Sequence, residues 1–143
     1  MDILQTTDLN SPIYQASLKI RQEVFIQEQN VAPEIEVDDL ENQCTYYVGY
    51  VQNQPVVTTR VHHEEPNTWH LQRVATQATA RHQGYASQLL SAIEAEARQQ
   101  NVQTITLNAQ DQAQNFYLQL GYEVMGPQFL DAGIKHHQMI KNL

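Results

Sequence analysis

The chain has 143 residues, of which 41% are apolar and 17% charged, and a formal net charge of −8. That length suits one domain with a sizeable core. The acidic balance opposes a nucleic-acid partner, which is held by Lys and Arg on phosphate, and no apolar run approaches the roughly 20 residues of a membrane-spanning helix.

In chain order, residues 3–6 read as a short first strand. Asn10 or Ser11 can cap a helix with Pro12 at its first position, and Ile13, Ala16, Ile20 and Val24 recur at helical spacing to about Gln27. Pro33 and the acidic run Glu34, Glu36, Asp38, Asp39 and Glu41 read as a solvated loop, with a rim that attracts a cationic amine as the functional alternative. Cys44 is the single cysteine. No disulfide can form within the chain, the N-terminus has neither the basic start nor the apolar core of a signal peptide, and a reducing cytoplasm is the expectation.

Residues 45–51 and 55–61 are β-branched and aromatic strands joined by a turn at 52–54. Residues 62–68 read as a polar connection, followed by a strand at 69–75. Ala86, Leu89, Leu90, Ile93 and Ala97 define one face of a helix. A short strand at 104–107 precedes a helix at 111–120, with Gly121 as its stop. Strands at 122–125 and 134–140 flank Gly126–Pro127. Hairpins followed by strands that alternate with helices predict an α/β layered fold on a mixed sheet.

One stretch carries chemistry. Arg81, His82, Gln83, Gly84, Tyr85, Ala86 and Ser87 follow a strand and open a helix, so free backbone N–H groups and the positive end of the helix dipole face one spot, a setting for phosphate. The stretch lacks both the dinucleotide fingerprint and the P-loop lysine. The pairs in His62–His63–Glu64–Glu65 and His136–His137 could suggest a metal, but neighbouring strand residues point to opposite faces and there is no H-E-x-x-H spacing, so no metal is expected.

The Arg-x-x-Gly-x-Ala turn resembles the pyrophosphate loop of the GNAT acyltransferases. Val74–Ala75–Thr76 stands before it as that family's cofactor strand does. Asn115–Phe116–Tyr117 followed by Leu120–Gly121–Tyr122 is similar to the family's late helix block. Arg21-x-x-Val24–Phe25-x-x-Glu28–Gln29, Glu36-x-Asp38 and Asp131-x-Gly133–Ile134-x-His136 resemble its ElaA/YjcF-like branch.

The resemblance covers nearly the whole chain. It implies a single N-acetyltransferase domain over 1–143, with a mostly antiparallel mixed sheet of about six to seven strands flanked by about four helices. It also implies acetyl-CoA as donor, an amine as acceptor, and direct transfer between them. A homodimer through residues 134–140 is left open.

Role by role, the resemblance places the backbone N–H of Val74 on the thioester oxygen, with Ala75 and Thr76 beside the cofactor and residues 81–87 on its pyrophosphate. Tyr117 matches the family's acid, a phenol with a reference pKa near ~10 that can protonate the leaving thiolate; it reads equally as a core aromatic. Asn108 would bond the pantetheine arm or cap the next helix, and Asn115 is a further CoA contact or a surface residue. His70 is a base for the amine or an ordinary strand histidine, and Glu28 is the competing base or a solvated helix-end residue. An acyl-CoA-binding regulatory module on the same fold is the non-enzymatic alternative.

Overall fold

The computed structural model describes residues 1–143, the side chain of Ile35 aside. Seven strands form one sheet: β1 (Asp2–Thr6), β2 (Cys44–Val51), β3 (Gln54–Glu65), β4 (Thr68–Thr76), β5 (Thr104–Gln110), β6 (Glu123–Asp131) and β7 (Ile134–Asn142). Their spatial order is β1-β2-β3-β4-β5-β7-β6. Every neighbouring pair is antiparallel except β4 and β5, which are parallel. The helices are α1 (Pro12–Arg21), the single turn α2 (Pro33–Glu36), α3 (Tyr85–Gln99) and α4 (Gln114–Gln119). This is the layered α/β fold expected. No helix among the described residues is long and apolar enough to cross a membrane.

The helices form where the sequence punctuates them. Ser11 caps α1 by accepting from the Ile13 N–H, and Pro12 occupies its first position. The expected single helix to Gln27 instead passes into a π-helical turn over Gln22–Glu28. The wider turn changes which residues face the sheet, a change that a 3.6-residue period does not encode. α3 buries Leu89, Leu90, Ile93 and Ala97. They pack with Trp69, Leu71, Ile105, Leu107 and Met139 into the main core, each large side chain contributing roughly 1.5–3 kcal/mol by burial. On the opposite face α1 packs chiefly against β2 and β3, with Ile20, Val24 and Ala75 in one cluster and Tyr14, Cys44 and Tyr46 in another.

Three strands run further than their apolar patterns suggest, among them β5, which continues past residue 107 to Gln110. The polar stretch after Val61 is not a connection: β3 continues to Glu65, with His62 opposite His70 and Glu65 opposite Thr68. The ladder is a backbone property, so a strand can continue once its side chains reach solvent. β6 likewise runs through Gly126–Pro127. Between Met125↔Gln138 and Phe129↔His136 it advances four residues against two on β7, a bulge. Pro127 is tolerated there because β6 is an edge strand. β7 lies between β5 and β6, so an association through residues 134–140 could not proceed by strand pairing at β7.

Two departures from regularity shape the centre. β4 and β5 pair from Thr68↔Thr104 to Leu71↔Leu107 and then separate, although both continue. At the same level the β3–β4 register slips between Arg60↔Gln72 and Thr58↔Ala75. Arg73 and Val74 therefore share one position opposite Thr59, and Arg73 adopts a φ of 59°, unusual for a residue with a side chain.

Candidate active site

Where the two strands part, a cleft of about 580 Å³ opens, walled by Val74, Ala75 and Thr76 of β4 and Asn108 of β5. Glu28 and Gln29 of the π-helical turn, Tyr117 of α4 and Asp131 of the β6–β7 hairpin complete it. Gln110 Nε2 donates to Gln29 Oε1 at 2.9 Å, linking β5 to the π-helical turn.

Residues 81–87 lie at the N-terminus of α3. Gly84 precedes its first turn with φ 81° and no side-chain cap, so the first N–H groups, of Tyr85, Ala86 and Ser87, keep the free donors of any helix start. A Cβ on Gly84 would meet no protein atom within 4 Å, which leaves room in front of the turn. His82 is exposed, with φ 63°, and Gln83 accepts from the Tyr85 hydroxyl at 3.2 Å. Arg81 does not extend freely. Its two terminal nitrogens donate to the two Glu28 oxygens at 2.7 Å each, and its Nε donates to the Thr76 carbonyl. The arginine's hydrogen bonds hold the Glu28 carboxyl below its usual range. The loop residue and the rival base are thus each other's partners.

His70 is buried, and its Nδ1 lies 2.7 Å from Thr106 Oγ1. Burial lowers its pKa below the ordinary 6.5, which keeps the ring neutral near pH 7. Tyr117 is buried at the cleft wall. Burial alone raises its phenol pKa above the ordinary 10, so it holds its proton. Asn108 is exposed in the cleft, whereas Asn115 is exposed on α4 and outside the cleft lining.

The acidic run is not the free rim that its sequence suggests. Glu34 and Asp39 are exposed, but Glu36 and Glu41 are buried. Arg21 and Arg60, both 0% exposed, bind them. Arg21 reaches Glu36 at 2.7 Å and Glu41 at 2.8 Å, while Arg60 reaches Glu41 at 2.6 Å and Asp38 at 2.9 Å. Arg73 adds bonds to Glu36 and Asp38 at 3.2 Å each. Tyr14 donates to Glu41 at 2.8 Å, and Tyr46 donates to its carbonyl. Burial pushes the Glu41 carboxyl up, but Arg21 and its neighbours prevail and hold it at about 2. Carboxylates this well matched cannot recruit a cation.

Sequence reading missed Arg60, Arg73 and Thr106. Arg21 appeared in a motif, but nothing local to that motif reveals its partners.

A second hollow of about 420 Å³ adjoins the cleft and shares His70 and Asn108 with it. Its remaining lining comes from Glu64 on β3, Gln138 on β7 and Met125, Gly126, Pro127 and Phe129 on β6. Among the described residues, no group of three His, Cys, Asp or Glu is placed to hold a metal ion.

The layered fold that holds this cleft is that of a family of acyltransferases. The acetyltransferase (GNAT) domain family model matches residues 13–143, and the chain belongs to that family, whose members are acyltransferases. It is 38% identical over 124 residues to the uncharacterized N-acetyltransferase YjcF of Bacillus subtilis (strain 168), covering 86% of this chain and 88% of that protein. A candidate N-acetyltransferase from Lactobacillus plantarum superposes with a TM-score of 0.91 at 29% identity, covering 99% of this chain and 97% of its own. Escherichia coli ElaA shares the fold, with a TM-score of 0.84 at 21% identity and 98% of each chain covered.

Proposed function

We propose that the cleft transfers an acetyl group from acetyl-CoA directly to a primary amine, with both substrates bound together. The observation that carries this reading is the split between β4 and β5, with the Arg73–Val74 bulge at its edge and the α3 N-terminus at its mouth. A structural neighbour, an aminoglycoside 6'-N-acetyltransferase, was crystallised with coenzyme A, which supports the choice of donor.

In this reading, backbone donors at Gly84–Ser87 hold the pyrophosphate, and Asn108 bonds the pantetheine arm between the strands. The Val74 N–H faces the thioester oxygen, on which negative charge grows as the amine attacks. Nitrogen bonds to the carbonyl carbon, the carbon–sulfur bond breaks, and Tyr117 gives its proton to the departing sulfur. His70, neutral because it is buried, takes the proton that the amine must lose. Glu28 is the weaker candidate for this base, because Arg81 occupies both of its oxygens.

The test is acetyl-CoA binding by calorimetry, with Gly84→Trp as the control. Micromolar binding that the substitution abolishes is expected, because the added ring would fill space that now meets no protein atom. No wild-type binding of acetyl-CoA or of longer acyl-CoAs would overturn the reading.

A further inference from the structure

Of the acidic run, Glu36, Asp38 and Glu41 are matched by arginine, Glu34 and Asp39 are exposed and line neither hollow, and Glu28 is matched by Arg81. Glu64 is different. It is the one charged side chain lining the second hollow, with 45% of its side chain exposed. His62 Nδ1 lies 3.7 Å from it, on a ring that is cationic only when protonated, and the Glu64 charge also acts on His70 in the same hollow.

The hollow has a definite layout. His70 belongs to both it and the main cleft, so it marks the passage between them. Asn108 and Gln138 are paired across β5 and β7. Neither amide has a side-chain partner among the described residues; with Asn108 given to the pantetheine arm, Gln138 presents a free hydrogen-bonding group to the acceptor. Both lie on the sheet face opposite Leu107 and Met139, which are buried in the main core. Met125, Pro127 and Phe129 add an apolar wall. A ligand running from His70 to Glu64 would meet apolar and amide surface along its length and a carboxylate at its end.

Resting on the amine-transfer reading above, we propose that this hollow seats the non-reacting end of the acceptor, and that this end is itself a cation. The acceptor class is an aliphatic diamine or polyamine, with one nitrogen at His70 and another at Glu64. Methylene groups suit the Met125–Phe129 wall, and an ammonium at Glu64 would satisfy the carboxylate. The net charge of −8 would draw such a polycation towards the protein. The atom balance of the transfer is unchanged: the reacting nitrogen loses one proton and gains the acetyl group, while the second nitrogen stays protonated.

Steady-state thiol release at pH 8, where imidazoles are largely neutral, tests this. Straight-chain diamines of three to six carbons would be compared with monoamines of matched length. The wild type is expected to favour its best diamine by about fivefold or more in kcat/KM, the scale of an exposed ion pair. Glu64→Gln is expected to bring the diamine-to-monoamine ratio close to one, mainly through the diamine KM, and Glu64→Asp to keep part of the preference.

Equal use of diamines and monoamines by the wild type would overturn the proposal, as would a preference that survives Glu64→Gln. A fall in kcat for both classes with KM unchanged would also overturn it, placing Glu64 on the proton path instead. Absence of turnover with every amine, despite acetyl-CoA binding, would refute the transfer reading itself, so the two failures are distinguishable.

Discussion

At the scale of single residues, burial prepares two groups in opposite ways. It keeps the His70 ring neutral and the Tyr117 phenol protonated. A neutral base is lost when it gains a proton, so kcat/KM should rise with pH through a midpoint below 6.5, and His70→Gln should abolish that limb. Tyr117→Phe should lower kcat by about 10²- to 10⁴-fold, the usual scale of a general acid, and leave acetyl-CoA affinity nearly unchanged. The sequence singled out both as candidates, Tyr117 from within a motif and His70 by its distance from one. Their burial was not legible, since a strand histidine and a helical tyrosine look alike whether they face water or a cleft wall. Asn115 was equally prominent in its motif and yet lies outside the cleft lining.

At the scale of elements, the bulge in β4 and the loop bearing Glu36 and Asp38 form one clamped unit. Arg73 sits in the bulge itself and bonds both acids, so the backbone that would meet the donor is fastened to that segment. Arg73→Gly tests the clamp cleanly, because glycine tolerates the φ of 59°. The expected result is a kcat lower by roughly 10- to 100-fold, from a misdirected Val74 N–H, and a calorimetric Kd for acetyl-CoA within about threefold of wild type.

Helices and strands with strong apolar periods were readable in advance, α3 most clearly. The π-helical turn, the continuation of β3 to Glu65 and the length of β6 were not. Each depends on backbone bonding to a neighbour that is distant in sequence, and on side chains too polar to leave a pattern.

At the scale of the whole molecule, the buried ion network ties α1, α2, β3 and β4 together through Arg21, Glu36, Glu41, Arg60 and Arg73. These residues lie far apart along the chain, which is why composition and spacing gave no hint of the pairing. Glu41 is held at about 2 in the folded protein, below the 4.5 of a free glutamate. A depressed carboxylate contributes stability above its unfolded value and loses it as pH falls towards its folded one. Urea midpoints should therefore decline between about pH 4.5 and about pH 2, and Glu41→Gln should flatten that decline while lowering stability at pH 7, because it leaves two buried arginines short of charge.

The far border of the sheet has a consequence for the protein's behaviour in a crowded solution. β6 is an edge strand with Val124, Met125 and Leu130 exposed, the kind of border on which stray chains template. Pro127 withholds an N–H at its middle, and the bulge beside it breaks the straight run of carbonyls that a visiting strand would need. The same kink brings Pro127 and Phe129 into the wall of the second hollow. One irregularity thus shapes a recess for a small guest and denies a foothold to a large one.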